Sequence, residues 1–349
     1  MRVVVVGATG NVGTSLVRAL ATDDDVTSVV GVARRRPGWR VDRTEWRQAD
    51  VARDELTPIF DGADAVVHLA WLFQPTRDAT VTWRTNVIGS MRVFRAAAEA
   101  GVPTLVHASS VGAYSPGPKD TPVDESWPTH GYPGAAYGRE KAYVERVLDV
   151  FEHDHPGVRV VRMRPGFIFK RQAATEQRRL FGGPLLPRRL VKAGRVPFVP
   201  DIPGLRLQAL HADDAAHAYR LALTRPVRGA FNIAAEPVLG ASDLAELLGA
   251  RTVPVSAGLA RAAVAAGWHL RLLPAAPGLL ELALALPVMK VERAREVLGW
   301  TPAYSAKDAI RELFEGLHDG DGMDTPPLAP DAGPVARVRE FASGVGAWP

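Results

Sequence analysis

The chain has 349 residues and 47% hydrophobic content, enough for one large domain or two smaller ones with a sizeable buried core. Its formal charge of +4 is scattered and carried mostly by Arg, so no basic block points to nucleic acid. With no Cys, disulfides, thiolate nucleophiles and thiolate metal sites are excluded, which suits a cytoplasmic setting, and no apolar run has the length of a signal core or a membrane span.

Short apolar runs alternate with stretches of helical spacing through the first half. RVVVV from Arg2, SVVGVA from Ser28, DAVVHLA from Asp64, PTLVHAS from Pro103 and VRVVRMRP from Val158 read as strands, apolar throughout. Between them, NVGTSLVRALA from Asn11 and NVIGSMRVFRAAAEAG from Asn86 carry apolar residues at helical spacing. The second stops at Gly101, with Pro103 behind it. This alternation predicts an α/β fold, a doubly wound parallel sheet of the Rossmann kind.

Past Pro165 the pattern loosens. LHADDAAHAYRLAL and GAFNIAA predict a helix and a strand that return to the sheet, and Ala241–Val288 reads as helical. The expected organisation is a Rossmann domain over 1–168 with 205–235 returning to it, and a smaller, mostly helical C-terminal lobe from 169–204 and 236–316. A linker and tail follow over 317–349. Asp, Gly and Pro dominate His318–Gly333, and PVARVREFASG after it reads as a short docking helix.

VVVVGATGNVG follows the first strand and opens a helix, with Gly7, Gly10 and Gly13 three apart. Glycines there permit a tight turn and let backbone amides approach a pyrophosphate seated on the positive end of the helix. Thr9, Asn11 and Val12 complete this candidate dinucleotide loop.

Farther on, AAYGREKAYVERVL sets Tyr137 four residues before Lys141, on one face of a helix. With 6 Tyr in the chain, random placement predicts roughly 0.1 Tyr-Lys pairs at this spacing, so the pair carries weight only in company. A tyrosine near pKa ~10 works as acid or base at neutral pH when a cation stands beside it, and a Lys one turn away can supply the charge.

The GxxGxxG form of the first loop resembles the short-chain dehydrogenase/reductase family, and the later motifs resemble its extended, epimerase/dehydratase-like branch. In chain order the matching pieces are Asp50-Val51, HLA from His68, NVIGS from Asn86, HASSVGAY from His107, YGREK from Tyr137, RMRPG from Arg162, HADDAAHA from His211, FNIAAE from Phe231 and LGWTP from Leu298. The resemblance implies a catalytic set of Ser110, Tyr137 and Lys141, with Asn86 organising water and the Lys141 side chain. It places cofactor contacts at Gly7, Thr9, Gly10, Asn11, Val12, Gly13, Asp50, Val51, Leu69, Ala70, Lys141 and Pro165, and substrate contacts at Trp71, Phe73, Val111 and Gly166. Ser109 is then a strand-end neighbour, and His68, His107 and His211 are structural. No metal is expected.

NAD-preferring relatives end their second strand on an acid, where this chain has Ala33 followed by Arg34 and Arg35. Arginines there suit a 2′-phosphate, so NADP is the expected cofactor, with NAD as the other candidate.

Val111 and Gly112 stand where dehydratases resembling this chain carry an Asp-Glu pair, which argues against water loss. RPGFIFKRQ lacks the Asn usual in nucleotide-sugar enzymes, and Gln208 stands near where they carry an Arg, although Arg178, Arg179, Arg188 or Arg189 could substitute. The loop Ala70–Pro75 is strongly apolar. The expected activity is therefore NAD(P)-dependent hydride transfer at a secondary alcohol or ketone of a small, rather apolar substrate. A nucleotide-sugar epimerase that retains its cofactor and a non-catalytic NAD(P)-binding sensor remain as alternatives. The expected partner is a small molecule, not nucleic acid or membrane, with a homodimer as an allowed assembly.

Overall fold

Parallel strands that are buried on both faces explain the unbroken apolar runs of the sequence. In a computed structural model, which describes residues 1–75, 77–184, 186 and 194–330, seven strands form one parallel sheet. They are β1 (Arg2–Val6), β2 (Ser28–Ala33), β3 (Thr44–Gln48), β4 (Ala65–His68), β5 (Thr104–Ala108), β6 (Arg159–Pro165) and, after three short strands, β10 (Gly229–Ile233). Those three are β7 (Phe167–Phe169), β8 (Phe198–Asp201) and β9 (Ala209–His211), and β11 (Arg251–Pro254) pairs with β8. The helices are α1 (Asn11–Ala21), α2 (Thr57–Phe60), α3 (Ala79–Trp83), α4 (Gly89–Glu99), α5 (Ala136–Asp154), α6 (Ala174–Gln177), α7 (Ala212–Thr224), α8 (Ala241–Leu248), α9 (Ala257–His269), α10 (Pro277–Ala285), α11 (Glu292–Glu296) and α12 (Ala306–Asp319).

The strand order is β10-β6-β5-β4-β1-β2-β3. The chain walks outward from β1 to β3, then returns to place β4 on the other side of β1. Loops leaving β1 and β4 therefore diverge, and the crevice between them is where doubly wound sheets bind ligands. Alternation along β1 feeds two cores. Val3 and Val5 pack with Leu16 and Leu20 of α1 and Tyr219 of α7, whereas Val4 and Val6 pack with Val93 and Phe94 of α4 and Leu148 of α5.

Two elements escape the apolar-run criterion. β3 is an edge strand that pairs only with β2, so it tolerates Glu45 and Arg47, and it packs by laying Trp46 over Gly31, where a Cβ would lie 2.5 Å from the indole. The helix expected to open at Asn86 opens instead at Ala79, with the Asp78 carboxylate accepting from the Thr80 amide at 2.9 Å. It runs into α4 through a π-helical turn, Arg84–Ile88, that contains Asn86.

The stretch His318–Pro330 corrects the linker expectation. His318 lies in α12, which Gly320 ends in the left-handed conformation, and beyond it Thr325 and Leu328 are buried. Thr325 donates to the Thr9 carbonyl at 3.0 Å, the Trp39 amide donates to the Asp324 carbonyl at 3.2 Å, and Thr175 donates to the Asp321 carbonyl at 2.7 Å. Composition marked the lack of regular structure; packing decided that the segment is a strap tied to the glycine loop at Thr9, to Trp39 and to α6 at Thr175. Arg188, Arg189 and the expected docking helix after residue 333 lie outside the described residues.

Candidate active site

The glycine loop leaves β1 with Gly7 at φ +89°, a conformation that favours glycine, and a Cβ there would sit 2.6 Å from the Ala70 amide nitrogen. Gly13 lies against the Gly7 carbonyl and is 2.7 Å, by its built Cβ, from the Ala8 backbone. Internal packing explains these two glycines. Gly10 differs, because a Cβ on it would meet only the Gly7 oxygen, at 3.6 Å. The first turn of α1 has no side-chain cap and no acidic residue. An uncapped amino end beside an open glycine fits an anionic group such as a dinucleotide pyrophosphate.

Arg34 and Arg35 follow β2 directly, the first half-buried and the second exposed. Burial lowers the Arg34 pKa, and the nearby Asp50 carboxylate opposes that shift. Asp50 also accepts from the Ala52 amide at 2.9 Å, and Val51 fills the space above Gly89. On the β4 side, the Leu69 amide bonds the Val6 carbonyl at 2.8 Å, and Ala70 abuts Gly7.

One residue on, the loop reaches the Tyr-Lys pair. Tyr137 donates to Ser110 Oγ at 2.9 Å, and Ser110 Oγ also accepts from the Gly112 amide at 3.0 Å. Gly112 has no room for a side chain, since a Cβ would lie 2.6 Å from the Tyr137 ring. Lys141 is buried and donates to the Ala108 carbonyl at 2.7 Å, with its Nζ 3.4 Å from the centre of the Trp71 ring. Phe73 stacks on Tyr137 at 5.0 Å and meets Phe181 edge-on at 5.6 Å. Pro165 ends β6, Gly166 packs against the Gln208 carbonyl, and Val111 is buried beside Tyr114.

Burial dominates the titration of both groups. It pushes Tyr137 up to about 12, with the Ser110 hydrogen bond opposing and the Glu140 charge adding. It pushes Lys141 down to about 7 against the pull of Glu140 and Glu145. The Trp71 face also favours the charged ammonium, by about 2 kcal/mol for a desolvated cation–π contact. Tyr137 is therefore protonated at neutral pH, and burial, not Lys141, sets its value, against the expectation that the neighbouring cation lowers it.

Asn86 stands elsewhere than expected. Its Oδ1 accepts from the Leu72 amide at 2.7 Å, and its Nδ2 donates to the Leu72 carbonyl at 2.8 Å and to Glu140 Oε2 at 2.7 Å. Both ends of the amide are thus spent on fixing the Trp71–Phe73 loop rather than on Lys141. The π-helical turn aims it there, and sequence spacing gives no sign of such a turn.

The sequence profile of the NAD dependent epimerase/dehydratase family matches residues 3–234. The chain belongs to this family. An uncharacterized protein of Mycobacterium bovis is 27% identical over 93% of this chain, which spans only 31% of that relative's length. L-arabinose 1-dehydrogenase (NAD(P)(+)) of Haloferax volcanii is 29% identical over 50% of this chain and 70% of its own. The crystal structure of a UDP-glucose 4-epimerase from Thermus thermophilus in complex with NAD superposes with a TM-score of 0.67 at 21% identity, over 91% of this chain and 99% of that one. At that identity the likeness extends to the fold.

Beyond the residues expected of a family member, the fold brings in a buried ionic network. Glu145, one turn past Lys141 on α5, accepts from Ser109 at 2.5 Å, from Arg164 Nε at 2.9 Å and from Arg162 at 3.0 Å. Arg164 also donates to the Tyr114 hydroxyl at 3.0 Å, and Arg162 to Asp149 at 2.6 Å. Arg162 and Arg164, at alternate positions of the strand stretch VRVVRMRP, were the available signal, because buried guanidinium groups need carboxylate partners.

Among the histidines, His68 bonds Ser90 at 2.9 Å and His211 Nδ1 accepts from the Asp213 amide at 3.2 Å to cap α7. Gln208 is engaged with both backbone groups of Met289, at 2.7 and 3.0 Å, while Arg178 and Arg179 donate to the carbonyls of Gly183 and Pro327. Among the described residues, no cluster of three or more His, Asp or Glu could hold a metal ion, and no helix is long and apolar enough to cross a membrane.

Proposed function

We propose that this protein is a cytoplasmic NAD(P)-dependent oxidoreductase that transfers a hydride at a secondary alcohol or ketone of a small, rather apolar substrate. The Tyr137 hydroxyl 2.9 Å from Ser110 Oγ, with Lys141 one turn behind it, is the observation that carries this reading. Ser110 hydrogen-bonds the substrate oxygen, and Tyr137 delivers the proton to the alkoxide that develops there. Lys141, which burial brings to about 7, supplies positive charge beside that proton in its protonated form and holds the nicotinamide ribose. A bound nicotinamide supplies or accepts the hydride.

The loop and first turn Gly7–Gly13, with Asp50, Val51, Leu69, Ala70 and Pro165, hold the dinucleotide. Asn86 acts as a positioning residue, through Leu72. Trp71 and Phe73, with Val111 and Gly166, form an apolar substrate wall. Residues 1–168 with 205–235 form the cofactor domain, and 169–204 with 236–316 the substrate lobe.

Net redox is distinguished from epimerisation by cofactor stoichiometry. Purified protein given NADPH and a panel of apolar ketones should consume one NADPH per alcohol formed. Interconversion of a UDP-hexose with no net change in the cofactor would favour the epimerase reading instead.

The arginines after β2 support NADP over NAD. Replacing them together, Arg34→Asp with Arg35→Ser, should weaken NADPH binding about 10-fold or more, as expected when a charged hydrogen bond to a phosphate is lost. NADH binding should change less than 3-fold. Equal losses for both in a fluorescence titration would remove the 2′-phosphate argument.

A further inference from the structure

Lys170 follows β7 in the second lobe yet reaches across to the nucleotide helix. Its Nζ donates to the Asn11 carbonyl at 2.7 Å, to Thr14 Oγ1 at 2.6 Å and to Ser15 Oγ at 3.0 Å, all in the first turns of α1. Asn11 answers by donating from Nδ2 to the Ile168 carbonyl at 3.0 Å. The side chain is buried, and its three partners are neutral oxygens. A buried ammonium without a carboxylate partner is costly, and the amino end of a helix, itself positive, raises the cost further.

Two carboxylates act on this charge through space without pairing with it, Asp213 at the start of α7 and Glu176 on α6, while Arg18 on α1 adds repulsion. A neutral donor could staple the two lobes at this point. A cation there is explained by an anion that arrives later, next to the same helix end.

We infer that Lys170 is a cofactor-positioning residue, whose buried charge adds to the α1 amino end in attracting the dinucleotide pyrophosphate and locks the substrate lobe to the loop that holds it. The inference rests on the reading of Gly7–Gly13 as the dinucleotide loop. In the free protein the charge is a liability; anion binding relieves it, so affinity for the pyrophosphate gains at the expense of unliganded stability.

Thermal unfolding and fluorescence titration with NADH and NADPH test this on the full chain, with Lys170→Met and Lys170→Arg. Lys170→Met should bind both dinucleotides about 10-fold or more weakly, with an unliganded melting temperature equal to or above that of the parent protein. Lys170→Arg should recover most of the affinity. Parent-like dinucleotide affinity in Lys170→Met overturns the inference and leaves the loop assignment standing. So does a loss of affinity accompanied by a lower unliganded melting temperature, which would assign Lys170 to lobe packing alone. If the parent protein itself binds neither dinucleotide, the underlying cofactor reading fails, and the inference with it.

Discussion

Tyr137→Phe is expected to lower turnover by at least ~10²-fold, the low end of what positioned acid–base groups contribute, while cofactor affinity stays within about 3-fold. The hydroxyl is the only atom removed. Its protein partner in the structure is Ser110, which keeps its bond to the Gly112 amide, and the ring keeps its stacking on Phe73 and its edge contact with Trp71. Stability should therefore change little, because the lost hydroxyl leaves behind another hydroxyl that can turn to a new partner. Steady-state rates set against a dinucleotide titration separate the two effects. Turnover retained in Tyr137→Phe would sink the assignment, and a parallel collapse of cofactor binding would place the tyrosine in binding rather than in proton transfer.

Glu145→Ala should be among the most destabilising single substitutions, costing about 3–5 kcal/mol, the usual result of breaking a buried ion pair and leaving its partner charged. Burial pushes this carboxyl up, but the hydrogen bond and charge of Arg164, the charge of Arg162 and the Ser109 hydroxyl outweigh burial and hold it down at about 2. A folded-state value below the ordinary carboxylate range means that the stabilisation is fully present above about pH 4.5 and is lost as pH falls toward 2. Denaturant titrations at neutral pH should show a lowered midpoint for Glu145→Ala. The same titrations repeated between pH 4.5 and 2 should show the parent and the variant converging. Parallel curves across that range would mean that Glu145 does not titrate as part of the network.

The network has a consequence for the site. Glu145 keys α5 to β5 through Ser109 and to β6 through Arg162 and Arg164. Lys141 and Tyr137 lie one and two turns back on the same helix face. A buried ionic lock therefore fixes the helical register that brings the Tyr137 hydroxyl to Ser110, a specificity role for which buried polar groups are suited.

Much of this was legible in the chain itself. Apolar runs of β-branched residues alternating with amphipathic helices fit a parallel sheet covered on both faces, so β1, β2, β4, β5 and β6 announced themselves, and the seven-stranded order follows the doubly wound pattern. Gly7, Gly10 and Gly13 directly after the first strand, and the Tyr137-Lys141 spacing, likewise mark local geometry that a short stretch of sequence encodes. These signals are periodic or contiguous, and chain-local physics suffices to read them.

What the tertiary structure decided are the partners of single side chains across long separations. Asn86 turned to Leu72 and Glu140 because a π-helical turn rotates it there. Lys170 reached α1, some 156 residues away in the chain, through the pairing of β7 with β9 beside the sheet. The segment Asp321–Leu328 became a strap because Thr325 found the Thr9 carbonyl, not because its composition changed. Local propensity sets which element forms. Which buried charge meets which depends on desolvation and three-dimensional proximity, and no spacing rule in one sequence carries that information.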